Sequence, residues 1–67
     1  MILEVIVELG RRHLDEVVVI YFANEFIKGR WFSIDTSTGI IGIERSRKSN
    51  LYIDISTINA IEVLNDE

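Results

Sequence analysis

The stretch VVVIYFANEFIKGRWFSIDTSTGIIGIE, residues 17–44, decides the fold. It opens on a short continuous apolar run, VVVIYF at 17–22, rich in β-branched residues. Such a run reads as a strand buried on most sides. After a tight connection at Ala23-Asn24, residues 26–35 place Ile27, Gly29 and Trp31 on one face and Lys28 and Arg30 on the other, as a strand requires. The turn Thr36-Ser37-Thr38-Gly39 leads into a third strand at 39–44, GIIGIE, in which Gly42 marks a bulge, a bend or a close backbone approach.

Outward from this stretch the pattern continues. Residues 45–50 form a polar hairpin connection. Residues 51–55 alternate Leu51, Ile53 and Ile55 against Tyr52 and Asp54, a half-buried strand. Residues 56–59 make a one-turn break, 60–64 a fifth strand, and 65–67 a frayed tail. On the N-terminal side, residues 1–14 admit two readings. A strand puts Val5 and Val7 together but leaves the equally apolar Ile6 between them. A helix puts Ile2, Val5, Ile6, Leu9 and His13 on one face and aligns Glu4, Glu8 and Arg12 at i, i+4 spacing. The β-branched residues and Gly10 speak against the helix, yet the balance falls on its side. Five short, densely apolar strands joined by tight turns predict a mainly β protein, a small closed or nearly closed barrel, with an N-terminal helix at 1–14 and barrel strands across 17–64.

Composition bounds the rest. Ile and Val supply 18 of 67 residues and there is no Pro, which favours strands throughout. A chain this short buries only about 60% of the surface its unfolded form exposes. It therefore has a thin stability margin, to which self-association can add. With no Cys there is no disulfide, thiolate metal site or cysteine nucleophile, and one His alone cannot furnish a metal site. No apolar run approaches the roughly 18 residues of a membrane span, and no signal-peptide pattern opens the chain. A single soluble, cytoplasmic domain over 1–67, with no membrane partner, is the expectation. The net charge of −4 argues against general attraction to nucleic acid but leaves room for a local basic patch. There is no nucleophile–base pair, Gly-rich phosphate loop or metal-ligand spacing, so neither an enzyme nor a cofactor is expected. Asp35 and Asp54, brought together as paired carboxylates, are the one metal-binding alternative.

Residues 17–44 also resemble the first signature motif of the Sm-like proteins, the Sm, LSm and Hfq group. Val17, Val19 and Tyr21 match its alternating strand. Ile27, Gly29, Trp31 and Asp35 stand at its apolar, Gly, apolar and Asp offsets, with Asn24 in the place of its first Gly. In the second motif Asp54 and Ile55 take the Arg-Gly places, with Ile58 and Ile61 as the apolar positions; Ile55-Ser56-Thr57 is similar to the stretch after the pore-side strand of Hfq. The resemblance implies a strongly bent, five-stranded, SH3-like barrel that forms a homo-oligomeric ring, the fourth strand of one copy pairing with the fifth of the next. Leu51, Tyr52, Ile53, Ile55, Ile61 and Val63 are then the candidate interface residues. It also implies RNA as a second partner, in an RNA-chaperone-like role. The family's pore positions, however, hold Ser37, Gly39 and Asp54. Serine offers no π-face for a base, glycine offers only backbone, and Asp54 puts a negative charge where a supporting cation belongs. Tyr52 and Ile53 replace the basic pair of the Hfq pore strand, so the pore site is non-standard.

Two basic clusters remain as nucleic-acid candidates. Arg45, Arg47 and Lys48 crowd one hairpin turn, where a ring would repeat them as a collar; a solvated turn is the plainer reading. Arg11 and Arg12, with His13, end the N-terminal helix, where cations complement its dipole. Trp31 is expected in the core, and Asp35 as the cap of its turn; Phe32 and Tyr52 fall on the opposite phase, where subunit contact is the plainer reading and base stacking the alternative. Three readings follow: an RNA-binding ring, a structural or protein-interaction ring, and a monomeric barrel that docks a protein through its edge strands.

Overall fold

The computed structural model describes residues 2–64. Helix α1 (Leu3–His13) precedes five strands: β1 (Val17–Tyr21), β2 (Phe26–Asp35), β3 (Ile40–Ser46), β4 (Ser49–Asp54) and β5 (Ala60–Val63), with a 3-10 turn at Ile55–Thr57 between the last two. All neighbours are antiparallel, in the order β4-β3-β2-β1-β5. The expected tail at 65–67 lies outside the described residues. Among these, no helix is long and apolar enough to cross a membrane.

Register makes the sheet curl. Asp54 pairs through Ile40 with Asp35 at one end of β2, whereas Ala60 pairs through Tyr21 with Phe26 at the other end. In a flat sheet those two residues would stand about 35 Å apart. The short connection through a 3-10 turn reaches only about 16 Å. The sheet must therefore bend sharply across the long β2, giving a barrel-like body of 27 × 26 × 20 Å whose β4 and β5 edges remain open. The bend encloses one core: Ile6, Val18, Ile20, Trp31, Ile41, Ile43, Ile53, Ile55 and Ile58. Gly29 lies where β2 turns over β3, and a Cβ there would stand 2.6 Å from the carbonyl oxygen of Glu44. Only glycine admits that approach.

Helix α1 lies over Trp31, whose indole is fully buried and donates from Nε1 to the Ser33 carbonyl at 2.9 Å. Gly10, which the sequence reading counted against a helix, faces this ring; a Cβ there would come within 3.3 Å of it. The buried stripe is Ile6 and Gly10, with Leu9 packed beside them. Ile2 and Val5, expected on the same face, stay exposed: Ile2 is the extended residue ahead of the helix, and Val5 lies off the stripe through Ile6 and Gly10 that meets the sheet. The turn after the helix is tied to β2: Asp15, at φ 76°, donates its N–H to the Trp31 carbonyl, and the Trp31 N–H returns to the Glu16 carbonyl.

Two expectations change in detail. The polar connection at 45–50 contracts to a two-residue turn, since β3 runs on to Ser46 and β4 begins at Ser49. The candidate interface side chains mostly face inward. Ile53 and Ile55 belong to the core, and Leu51, Ile61 and Val63 pack against it; of the six, only Tyr52 is exposed. What the open β4 and β5 edges present to a neighbour is therefore backbone, not this apolar set.

Candidate nucleic-acid interface

Both site-forming irregularities of the sheet are single-residue bulges. Between the pairs Trp31↔Ile43 and Ser33↔Gly42, β2 carries one extra residue, Phe32. Between Glu44↔Asn50 and Ser46↔Ser49, β3 carries one extra residue, Arg45. A bulge adds twist and re-aims a side chain. Past Arg45 the β3–β4 hairpin parts from the first half of β2, opening a cleft of about 410 Å³ lined by Val17, Lys28, Gly29, Arg30 and residues 44–47.

Four cations reach this cleft. Arg30 is committed: Nε donates to Glu44 at 2.9 Å and Nη1 to Asp15 at 2.6 Å. Bonding to Glu44 holds its guanidinium even more firmly charged than usual. It thereby neutralises the one carboxylate of the cleft wall. Lys28, Arg45 and Arg47 have no ion-pair partner among the described residues. Their charge is available to an anion. Lys48 occupies the exposed tip of the same hairpin. Arg45 also borders a second groove, formed with Phe22, Glu25, Phe26, Ile27 and Leu51.

The other basic candidates lie elsewhere. Arg11 and Arg12 end α1, where Arg12 pairs with Glu8 at 3.4 Å across one helical turn. Such exposed pairs contribute little. Neither arginine lines the cleft.

The positions that the resemblance assigns to a pore do meet. The Ile55 N–H donates to the Gly39 carbonyl at 2.9 Å, stitching the β2–β3 turn to the 3-10 turn. Gly39 takes φ 72°, the left-handed region that glycine enters without strain. Yet the carboxylates there are occupied with their own turns. Asp35 accepts from the Ser37 N–H and hydroxyl at 2.9 and 2.7 Å, and Asp54 accepts from the Ser56 N–H at 2.9 Å. These bonds lower both carboxyl pKa values: for Asp35 the Ser37 hydroxyl contributes most, for Asp54 the Ser56 N–H. This end is acidic and rich in hydroxyls. Among the described residues, no group of three or more His, Cys, Asp or Glu side chains is placed to hold a metal.

The sequence reading found Arg45, Arg47 and Lys48 but did not join Lys28 and Arg30 to them. The signal was present, since both fall on the polar phase of β2. What joins the two sets is the β2–β3 register, Arg30 opposite Glu44. No protein-family description, curated protein or solved structure matches this chain.

Proposed function

We propose that this chain is an Sm-like protein that closes into a homo-oligomeric ring and binds RNA in the cleft between β2 and the β3–β4 hairpin, in an RNA-chaperone-like role. The observation that carries the reading is the convergence of Lys28, Arg45 and Arg47, none of them ion-paired within the described residues, on one open cleft. Cations so placed gain by neutralising phosphates and releasing their counterions. The ring is supported by the two open strand edges and by the small core of a 67-residue chain. An N-terminal helix ahead of five bent antiparallel strands is what the resemblance leads one to expect. The RNA site moves from the loops at 35–39 and 54–57, whose carboxylates repel phosphate, to the hairpin. This reading assigns no reaction and no cofactor to the chain.

A second reading, a structural ring without RNA, is favoured by the net charge of −4 and the acidic turns. The test is the solution mass of the purified protein, with co-purifying nucleic acid followed by absorbance and added RNA by fluorescence anisotropy. A closed species of roughly five to eight copies that holds RNA in a salt-dependent way supports the first reading. The same species with no affinity for RNA at low salt transfers the conclusion to the second. A single-chain mass overturns the ring.

A further inference from the structure

Beside the cleft, the outer face of the sheet carries an aromatic pair that neither core packing nor the cleft uses. Phe32, the extra residue of the β2 bulge, lies down over Gly42; a Cβ at Gly42 would come within 2.7 Å of its ring. The ring meets Tyr52 edge-on at 6.0 Å between centroids, and the Arg30 guanidinium sits 5.9 Å from the Phe32 centroid. Tyr52 is 63% exposed, and its hydroxyl has no hydrogen-bond partner among the described residues. An edge-to-face pair braced by a cation holds its rings in a set orientation, so little side-chain freedom remains to be lost when a third ring stacks.

Position supplies the ligand's identity. Gly42 pairs with Tyr52 and Glu44 with Asn50, so the platform stands two strand residues, about 7 Å, from the cleft wall at Glu44. That is within reach of the base of a nucleotide whose phosphate lies among Lys28, Arg45 and Arg47. We propose that the Phe32–Tyr52 pair is a stacking platform for an unpaired base, so that the cleft and platform together take single-stranded RNA. Paired bases present no free face to Tyr52, so duplex RNA engages the cations alone. The other exposed aromatic pair, Tyr21 and Phe26, also shares a face with Lys28, but the Tyr21 hydroxyl donates to the Glu62 carboxylate at 2.8 Å. A phosphate would meet that negative charge, which leaves the Tyr52 end as the base site.

This inference rests on the cleft reading, and the experiment separates the two. Fluorescence anisotropy compares a labelled oligoadenylate RNA with an abasic strand of the same length, on the wild type, Tyr52→Ala and Tyr52→Phe. Circular dichroism and solution mass are followed on each variant. The wild type should bind the base-bearing strand roughly 5- to 100-fold more tightly than the abasic one. Tyr52→Ala should erase that preference while leaving abasic affinity and its salt slope unchanged, and Tyr52→Phe should keep it. Undiminished preference in Tyr52→Ala, or equal binding of both strands by the wild type, overturns the platform and leaves the cleft standing. Binding of neither strand overturns both. A change of mass or fold in Tyr52→Ala shows the ring to be structural there, and overturns the platform if Tyr52→Phe shows no base preference.

Discussion

Asp35 and Asp54 each close a turn with a carboxylate, and for both the pKa lies below the ordinary 3.8. As the pH falls, the unfolded chain therefore takes up protons at these positions before the folded chain does. Their contribution to stability is complete above the unfolded value and is lost as the pH drops through the folded ones. Asparagine at both positions keeps an oxygen to accept the serine N–H but removes the titration. The variant carrying Asp35→Asn and Asp54→Asn should therefore lose thermal stability less steeply than the wild type between about pH 5 and pH 2. Parallel melting-temperature profiles would count against the two carboxylates as the acid-sensitive groups. The Asp35 turn was legible in the sequence, since Asp-Thr-Ser before a Gly is local chemistry. The need for glycine at 29 was not, because the atom it makes room for, the Glu44 carbonyl oxygen, arrives from another strand.

At the scale of elements, the β5 edge offers the most direct test of self-association. The Leu64 N–H donates to the Val17 carbonyl on β1. Donor direction alternates along an antiparallel strand, so the N–H groups of Ile61 and Val63 point to the open edge. Proline is tolerated on an edge strand where the N–H it removes faces outward. Val63→Pro should therefore leave the fold and its circular dichroism in place while dispersing an assembly to the 7.7 kDa single chain. A particle of unchanged mass would rule out the β5 edge as a ring contact. A lysine at Ile53 is no equivalent test, because that side chain is only 5% exposed and the charge would enter the core. Strand positions were legible from alternation and turn residues, and all five strands lie where these placed them to within a few residues. The helix was legible only on balance. Gly10 weakens it as an isolated segment, and the indole that makes Gly10 useful is contributed by β2.

Across the whole molecule, four cations without an ion-pair partner among the described residues collect toward one end of β2. Lys28, Arg45, Arg47 and Lys48 lie there, beside Glu25 and an Arg30-paired Glu44; the other end bears Asp35 and Asp54 within hydroxyl-rich turns. The net charge of −4 averages over this separation and hides it. Joint replacement of Arg45, Arg47 and Lys48 by Ala should weaken RNA binding and flatten its salt dependence, by about 0.7 in the logarithmic slope for each cation that meets a phosphate of a single strand. An unchanged slope would clear the hairpin of phosphate contact and return attention to Arg11 and Arg12.

Alternation, turn residues and β-branched content act over a few neighbours, so the strands, their inward faces and the basic hairpin were determined by the sequence alone. Which strands pair, and in what register, depends on contacts between distant residues. That register bends β2, lays Phe32 over Gly42 beside Tyr52, and brings Lys28 and Arg30 to Arg45 and Arg47. It also turned Ile53 and Ile55 into the chain's own core, because the curled sheet has only one inside for its apolar faces to share.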